Sequence, residues 1–323
     1  MPIIKSNYRP STLFRNGFYS TVYSGIIRKV DFSKIDSKRE RLTLSDGDFI
    51  DLDWDFSNKK SDKLLLMLHG LEGDSKRAYM LGSSKLFNSK NFTIGRMNFR
   101  GCSGEENALF RSYHSGATSD LAEVIQHILA QKQFKEIYLL GFSLGANVIL
   151  KYLGESDVLP VEIKAAVAVS VPCYLEGSAN SLVSLKNLPY AIRFKRNLIK
   201  TLRAKQKKFP EQITKSDIKK IKTLIDFDDV YTSKAHGFEN ARDYYSRSSS
   251  LQFLPSINIP TLILNAKNDS FLSEECYPIK EAKENPNLFL EIPEYGGHVG
   301  FHLNGEYYYN EIRALEFIEN HST

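Results

Sequence analysis

The apolar positions of this chain fall into short runs separated by stretches of helical spacing. Leu64-Leu65-Leu66-Met67-Leu68, within Lys63 to Leu68, is the near-continuous run of a strand buried on both faces, and it stops at His69-Gly70. Helical spacing follows around Ala78 to Phe87, then an apolar run from Phe92 to Phe99. A second helix around Ser119 to Gln131 carries Leu121, Val124, Ile125 and Ile128 on one face and leads to the strand Ile137 to Leu140. Ala146 to Tyr152 is helical again and Ala165 to Val171 strand-like. After an interruption the alternation resumes with Thr261 to Asn265, a helix near Glu274 to Ala282, Leu288 to Ile292, and a closing helix from Gly305 to Asn320. Strand alternating with helix predicts an α/β fold built on a mainly parallel sheet with right-handed crossovers.

Two regions depart from this rhythm. The first 35 or so residues, rich in Tyr, Phe, Arg and Ser, show no sustained period and read as an irregular arm over the body. They lead into short strands at Arg41 to Leu44 and Phe49 to Trp54, joined by Ser45-Asp46-Gly47-Asp48, a hairpin signal. The second region is the interruption itself. Lys186 to Lys222 holds thirteen Lys/Arg against two Asp/Glu, a local net charge of +11 in a chain whose total is +5. It reads as an insertion, so the expected organisation is a single domain over 1–323: an arm (1–36), a core (37–172 and 251–323) and a helical insertion (173–250).

Composition narrows the class. With 323 residues, 42% hydrophobic and 25% charged, the chain is ordinary globular protein, large enough to bury a core without staples. Its three cysteines, Cys102, Cys173 and Cys276, are widely spaced and form no Cys-x-x-Cys pair, against a disulfide framework or structural zinc. The N-terminus lacks the succession of a signal peptide, and no apolar run approaches the roughly 20 residues that span a bilayer. A cytoplasmic location is expected.

The strongest chemical signal is Gly141-Phe142-Ser143-Leu144-Gly145, where a strand ends and a helix begins. A turn this sharp strains its central residue, and small residues two before and two after relieve the crowding. Ser143 then projects above the sheet at a helix N-terminus. A serine hydroxyl needs a base, and in this architecture the order along the chain is Ser, Asp, His. Asp269 follows the strand Thr261 to Asn265, and His298 lies in the loop Gly296-Gly297-His298-Val299-Gly300. The carboxylate orients the imidazole and the imidazole activates Ser143. Backbone N–H groups of Leu144 and of Leu71, in His69-Gly70-Leu71-Glu72-Gly73, are the candidate oxyanion donors, with His69 bracing that loop. His298 and His302 are spaced i, i+4, but no third ligand accompanies them, so no metal is expected. No Gly-x-Gly-x-x-Gly or Gly-x4-Gly-Lys-Ser/Thr loop occurs, so no organic cofactor is expected either.

These residues resemble the α/β-hydrolase superfamily, and more closely its YheT-like hydrolases, related to the ABHD1/2/3 group. The likeness runs over nearly the whole chain. It includes Tyr8-Arg9-Pro10, Leu13 to Gly17, His69 to Ser75, Asn98 to Glu105, Tyr113 to Gly116 with Thr118 and Asp120, and Gly141 to Gly145. Phe227-Asp228-Asp229 with Thr232, Gly237-Phe238 and Asp243-Tyr244-Tyr245 complete it. One departure is Phe18, where the arm usually carries a His after Asn-Gly. The resemblance implies the triad Ser143, Asp269 and His298, ester or thioester chemistry on an acyl group, and a helical cap over the site where the basic insertion stands.

The expected fold is therefore an α/β-hydrolase fold with a roughly eight-stranded, mainly parallel sheet and a helical cap. The expected activity is hydrolysis of a small-molecule ester through an acyl-enzyme. The alternatives are an acyltransferase to an alcohol, or a catalytically silent binding protein. Arg100 is expected to tie loops by hydrogen bonds to carbonyls, and Cys102 to be a buried, inert thiol. The basic segment suits either a solvated helical face or peripheral contact with an anionic membrane; with no recognition motif beside the charge, nucleic-acid binding is not expected.

Overall fold

The structure, a computed structural model, describes residues 3–57 and 59–322. Met1, Pro2 and Thr323, at the outer ends of the expected arm and closing segment, lie outside the described residues, as does Asn58. Among the described residues nine strands form one sheet: β1 (Ile3–Ile4), β2 (Ser37–Thr43), β3 (Phe49–Asp55), β4 (Lys63–Leu68), β5 (Thr93–Asn98), β6 (Glu136–Phe142), β7 (Ile163–Val169), β8 (Thr261–Leu264) and β9 (Leu288–Glu291). Their order is β1-β9-β8-β7-β6-β4-β5-β3-β2, parallel throughout except that β3 runs antiparallel to β2 and β5. The strand count exceeds the expected eight by β1, which pairs with β9.

The central strands are buried on both faces because helices cover both sides. One layer of core joins Leu64, Leu66, Leu139 and Ala168 to the helices Thr118–Ala130 and Leu144–Glu155. The other joins Leu65, Met67, Leu140 and Val167 to Ala78–Ser89 and Tyr309–Glu319. β3 buries both faces differently. Ile50, Leu52 and Trp54 enter the core, while Asp51, Asp53 and Asp55 on the opposite face accept paired hydrogen bonds from Arg41, Arg39 and Arg96. A buried carboxylate survives only when paired and hydrogen-bonded, and each of these has a guanidinium fork.

Three expectations need correction. The arm is not irregular: Thr12–Arg15, Gly17–Val22 and Tyr23–Ile27 form helical turns, with the Asn16 side chain accepting from Tyr19 N–H at 2.9 Å. Its anchors are aromatic rings, Phe14 and Tyr23 against His302, which leave no apolar period to read. The helix near Glu274 to Ala282 is two short pieces, Glu274–Cys276 and Ile279–Glu284, because Pro278 cannot sit inside a helix. The closing helix starts at Tyr309, after Gly305 at φ 145°.

Between β7 and β8 the chain is helical, with Leu175–Val183, Leu188–Lys208 and Ala241–Ser248 the longer pieces. This region has a small core of its own, including Leu198, Leu202, Ile213, Ile221, Leu224 and Phe227. Lys205, on the basic helix, turns inward: its ammonium donates to Asn107 Oδ1 at 2.8 Å and to the Leu109 carbonyl at 2.7 Å. No helix among the described residues is long and apolar enough to cross a membrane.

Candidate active site

Ser143 stands between β6 and the helix Leu144–Glu155 at φ 53°, ψ −119°. A non-glycine residue rarely holds a positive φ, and neighbours on both sides enforce it here. A Cβ at Gly145 would lie 2.5 Å from the His69 carbonyl oxygen, and one at Gly70 3.1 Å from Ser143 Cβ. Only bare backbone lets the loop after β4 approach the serine this closely.

The structure brings Ser143, Asp269 and His298 together. His298 Nδ1–H donates to Asp269 Oδ2 at 2.7 Å, and the Ser143 hydroxyl donates to His298 Nε2 at 2.9 Å. The carboxylate can only accept, so it fixes the tautomer and leaves Nε2 free to take the serine proton. The Asp269 side chain is fully buried, and its other oxygen accepts from the Phe271 N–H at 2.9 Å. The Phe271 ring lies 4.4 Å from the imidazole, shielding it.

Among the described residues, neither the Leu71 nor the Leu144 N–H is given to a protein acceptor. The loop carrying Leu71 is held from behind. Buried His69 donates from Nδ1 to the Gly70 carbonyl at 2.8 Å, and its Nε2 accepts from Phe99 N–H at 3.2 Å. Burial pushes its pKa down to about 4, so the ring is neutral and braces the loop. Cys102 is a free thiol that is half-buried rather than buried as expected; desolvation still pushes its pKa well above the ordinary value, which keeps it a poor nucleophile.

Two side chains behave otherwise than expected. Arg100 bonds carboxylates rather than carbonyls: Asp120 twice at 2.7 Å, Asp46 at 2.7 Å and Asp48 at 3.2 Å. The hairpin turn and the helix Thr118–Ala130 supply those acids, and a buried cation needs opposite charge. His302 does not join His298; its ring stacks on Phe14 at 3.5 Å.

The arm adds residues that motif reasoning missed. Thr21 Oγ1 accepts from the His298 N–H at 2.8 Å, and Ser170 Oγ from the Val299 N–H at 2.9 Å. Asn268 bridges arm and loop, accepting from Gly297 N–H and donating to the Arg15 carbonyl, both at 2.9 Å. These contacts hold a strained loop, with Val299 at φ 56° and Phe301 at φ 35°. The signals in the sequence were Tyr8-Arg9-Pro10 and the run Leu13 to Gly17, which marked the arm without saying what it touches.

Two cavities meet at Ser143, with Leu71, Glu72 and Leu182 on their common rim. The cap-side lobe, about 140 Å³, is walled by Leu144, Leu175, Leu198, Leu202, Leu224 and Phe227. Several of its polar wall groups bond one another, as when Tyr245 and Thr232 donate to Asp228, each at 2.7 Å. The arm-side lobe, about 160 Å³, includes His298, Phe271, Arg77, Tyr190, Arg193 and Ile26.

Comparison with known proteins agrees with the fold. The family profile described as "alpha/beta hydrolase fold" matches residues 63–305. "Putative esterase YheT" of Escherichia coli (strain K12) is 34% identical over 268 residues, 81% of this chain and 78% of that protein. "Phospholipase ABHD3" of Homo sapiens is 30% identical over 311 residues, 93% of this chain and 75% of that protein. Among solved structures, the esterase Pf2001 of Pyrococcus furiosus superposes with a TM-score of 0.60 at 19% identity, over 90% of this chain and 92% of that one. With its serine turn, its sheet order and relatives matched over most of their length, the chain belongs to the α/β-hydrolase superfamily, in the YheT-like group.

Proposed function

We propose that this serine ester hydrolase works through Ser143, His298 and Asp269, with the N–H groups of Leu71 and Leu144 as the oxyanion hole. The observation that carries the reading is the continuous hydrogen-bonded chain from Ser143 through His298 to Asp269, at the junction of two cavities. Ser143 Oγ attacks the ester carbonyl while His298 Nε2 takes its proton, and the tetrahedral oxyanion lies against the two N–H groups. His298 then gives that proton to the departing alkoxide, leaving an acyl-serine. Water, deprotonated by the same nitrogen, attacks the acyl-serine and releases the carboxylic acid, restoring the Ser143 hydroxyl. No metal or organic cofactor takes part.

The chain acts as one unit: arm (1–36), core (37–172 and 251–323) and helical cap (173–250). The apolar cap-side lobe takes the acyl chain, and the arm-side lobe, which carries Arg77 and Arg193, takes the leaving alcohol. Relatives named esterase and phospholipase favour an ester with a hydrophobic acyl chain.

Labelling with a fluorescent fluorophosphonate tests the triad. The native protein is expected to label, and Ser143→Ala and His298→Ala to lose labelling together with at least about 10⁴-fold in kcat on p-nitrophenyl esters. Undiminished labelling of folded Ser143→Ala would sink the assignment. Product analysis with added alcohol separates hydrolysis from acyl transfer: free acid is the expected product.

A further inference from the structure

The face around the mouth of the arm-side lobe exposes more large apolar side chains than a solvated surface needs. On the arm, Phe18, Ile26 and Ile27 are 51%, 59% and 50% exposed; on the cap, Leu185 and Ile192 are 89% and 53% exposed. Arm and cap meet here: Tyr190 donates to the Phe18 carbonyl at 3.2 Å, and their rings lie 5.2 Å apart. The mouth is one step from the chemistry, since Phe271 lies 4.8 Å from the Tyr190 ring and 4.4 Å from the His298 ring.

The same cap helix, Leu188–Lys208, continues from this apolar end into a groove bearing Arg196, Lys200, Arg203, Lys207 and Lys219 over Ile199, Ile218 and Ile221. None of those five cations has a hydrogen bond or ion pair among the described residues. Unpaired cations beside exposed aliphatic side chains match a surface that is anionic outside and apolar within. Phosphate headgroups meet the ammonium and guanidinium groups while Leu188, Ile192 and Ile27 enter the acyl region. A nucleic acid satisfies the charge but leaves the aliphatic groups in water.

We propose that this face docks on an anionic lipid surface, so that a bilayer rather than bulk water presents the ester to the mouth of the arm-side lobe. The delivery step rests on the reading of Ser143 above; docking does not. Sedimentation with phosphatidylcholine vesicles, with and without about 30% phosphatidylglycerol, tests it. The full chain is expected to bind the anionic vesicles at least about tenfold more tightly than the neutral ones, with binding lost at high salt. Two triple variants, Ile27→Ser/Leu188→Ser/Ile192→Ser and Lys200→Glu/Arg203→Glu/Lys207→Glu, are each expected to lose about tenfold or more in vesicle affinity. Both are expected to keep native fluorophosphonate labelling and native turnover of a short soluble ester, which also reports that they fold. Equal affinity for neutral and anionic vesicles overturns the proposal. So does native vesicle affinity in the serine triple, which leaves only charge attraction, as to any polyanion such as RNA. Ser143→Ala separates the two readings: it is expected to bind vesicles as the native chain does, whatever becomes of the triad.

Discussion

Ser143 owes its geometry to what its neighbours lack. At Gly145 an added methyl meets backbone oxygens of His69 and Leu68 at 2.5 and 2.6 Å, and neither can move without displacing β4. Gly145→Ala is therefore expected to cost at least about 2 kcal/mol in urea unfolding and to abolish fluorophosphonate labelling, whereas labelling at the native rate would show that the turn tolerates a side chain. Thr21 acts on the histidine from outside the motif. With its Oγ1 removed in Thr21→Val, the His298 N–H loses its acceptor and the loop is free to drift. The expected result is a fall of about tenfold in kcat at nearly constant KM, with Thr21→Ser restoring the rate; a raised KM at unchanged kcat would mark a binding role instead. This contrast shows what was readable. Ser143, Asp269 and His298 each sit in a loop just past a strand, and strand ends are visible as apolar runs. Thr21 and Asn268 were invisible because their partners lie 277 and 253 residues away and no spacing encodes that contact.

Elements were legible where burial alone writes the pattern. β4 and β6 are apolar on both faces and read directly as strands of a parallel sheet, whereas the arm is held by rings and polar bridges and carried no period. The hairpin turn shows a second kind of hidden content. Ser45 to Asp48 was readable as a turn, but not as the acid half of a buried cluster around Arg100. Deleting that guanidinium in Arg100→Met strands buried Asp120, while Asp48 keeps Asn107 and the Ala108 N–H, and is expected to cost about 3–5 kcal/mol in chemical unfolding. Lys205→Met gives the useful comparison. It too loses two hydrogen bonds, but burial already pushes the lysine pKa down to about 8, so removing the ammonium also removes an unfavourable burial. Its expected cost stays below about 2 kcal/mol, and a loss as large as that of Arg100→Met would show that Lys205 is the stronger tie between cap and core.

Across the whole molecule, the net charge of +11 between Lys186 and Lys222 was plain from the sequence; which of those cations point outward was not, because that depends on how Leu198 and Leu202 seat the cap helix. The buried titratable groups of core and cap are likewise a property of the assembled fold, and they pull stability in opposite directions. His69 has its pKa lowered by burial to about 4, so the unfolded chain binds the extra proton first. Stability from His69 is complete above about pH 6.5 and is lost as pH falls toward 4, by about 3 kcal/mol. His236, lowered to about 4, and His114, lowered well below the ordinary imidazole value, act with the same sign, burial being the largest cause for each. Asp228 acts against them. Burial raises its pKa to about 6, so the folded state holds a proton that the unfolded state has released, and stability falls as pH rises from about 4 to 6. With three groups against one, thermal scans are expected to show a melting temperature that drops as pH is lowered from about 6.5 to 4. Asp228→Asn keeps a neutral acceptor toward Tyr245 and removes the opposing titration. It is expected to raise the melting temperature at pH 8 by several degrees and to lose that advantage steadily as the pH approaches 4, where the native carboxyl is itself protonated. An advantage that stays constant across the range would show that the substitution acts through packing, and that Asp228 is already paired well enough beneath the cap to remain ionised throughout.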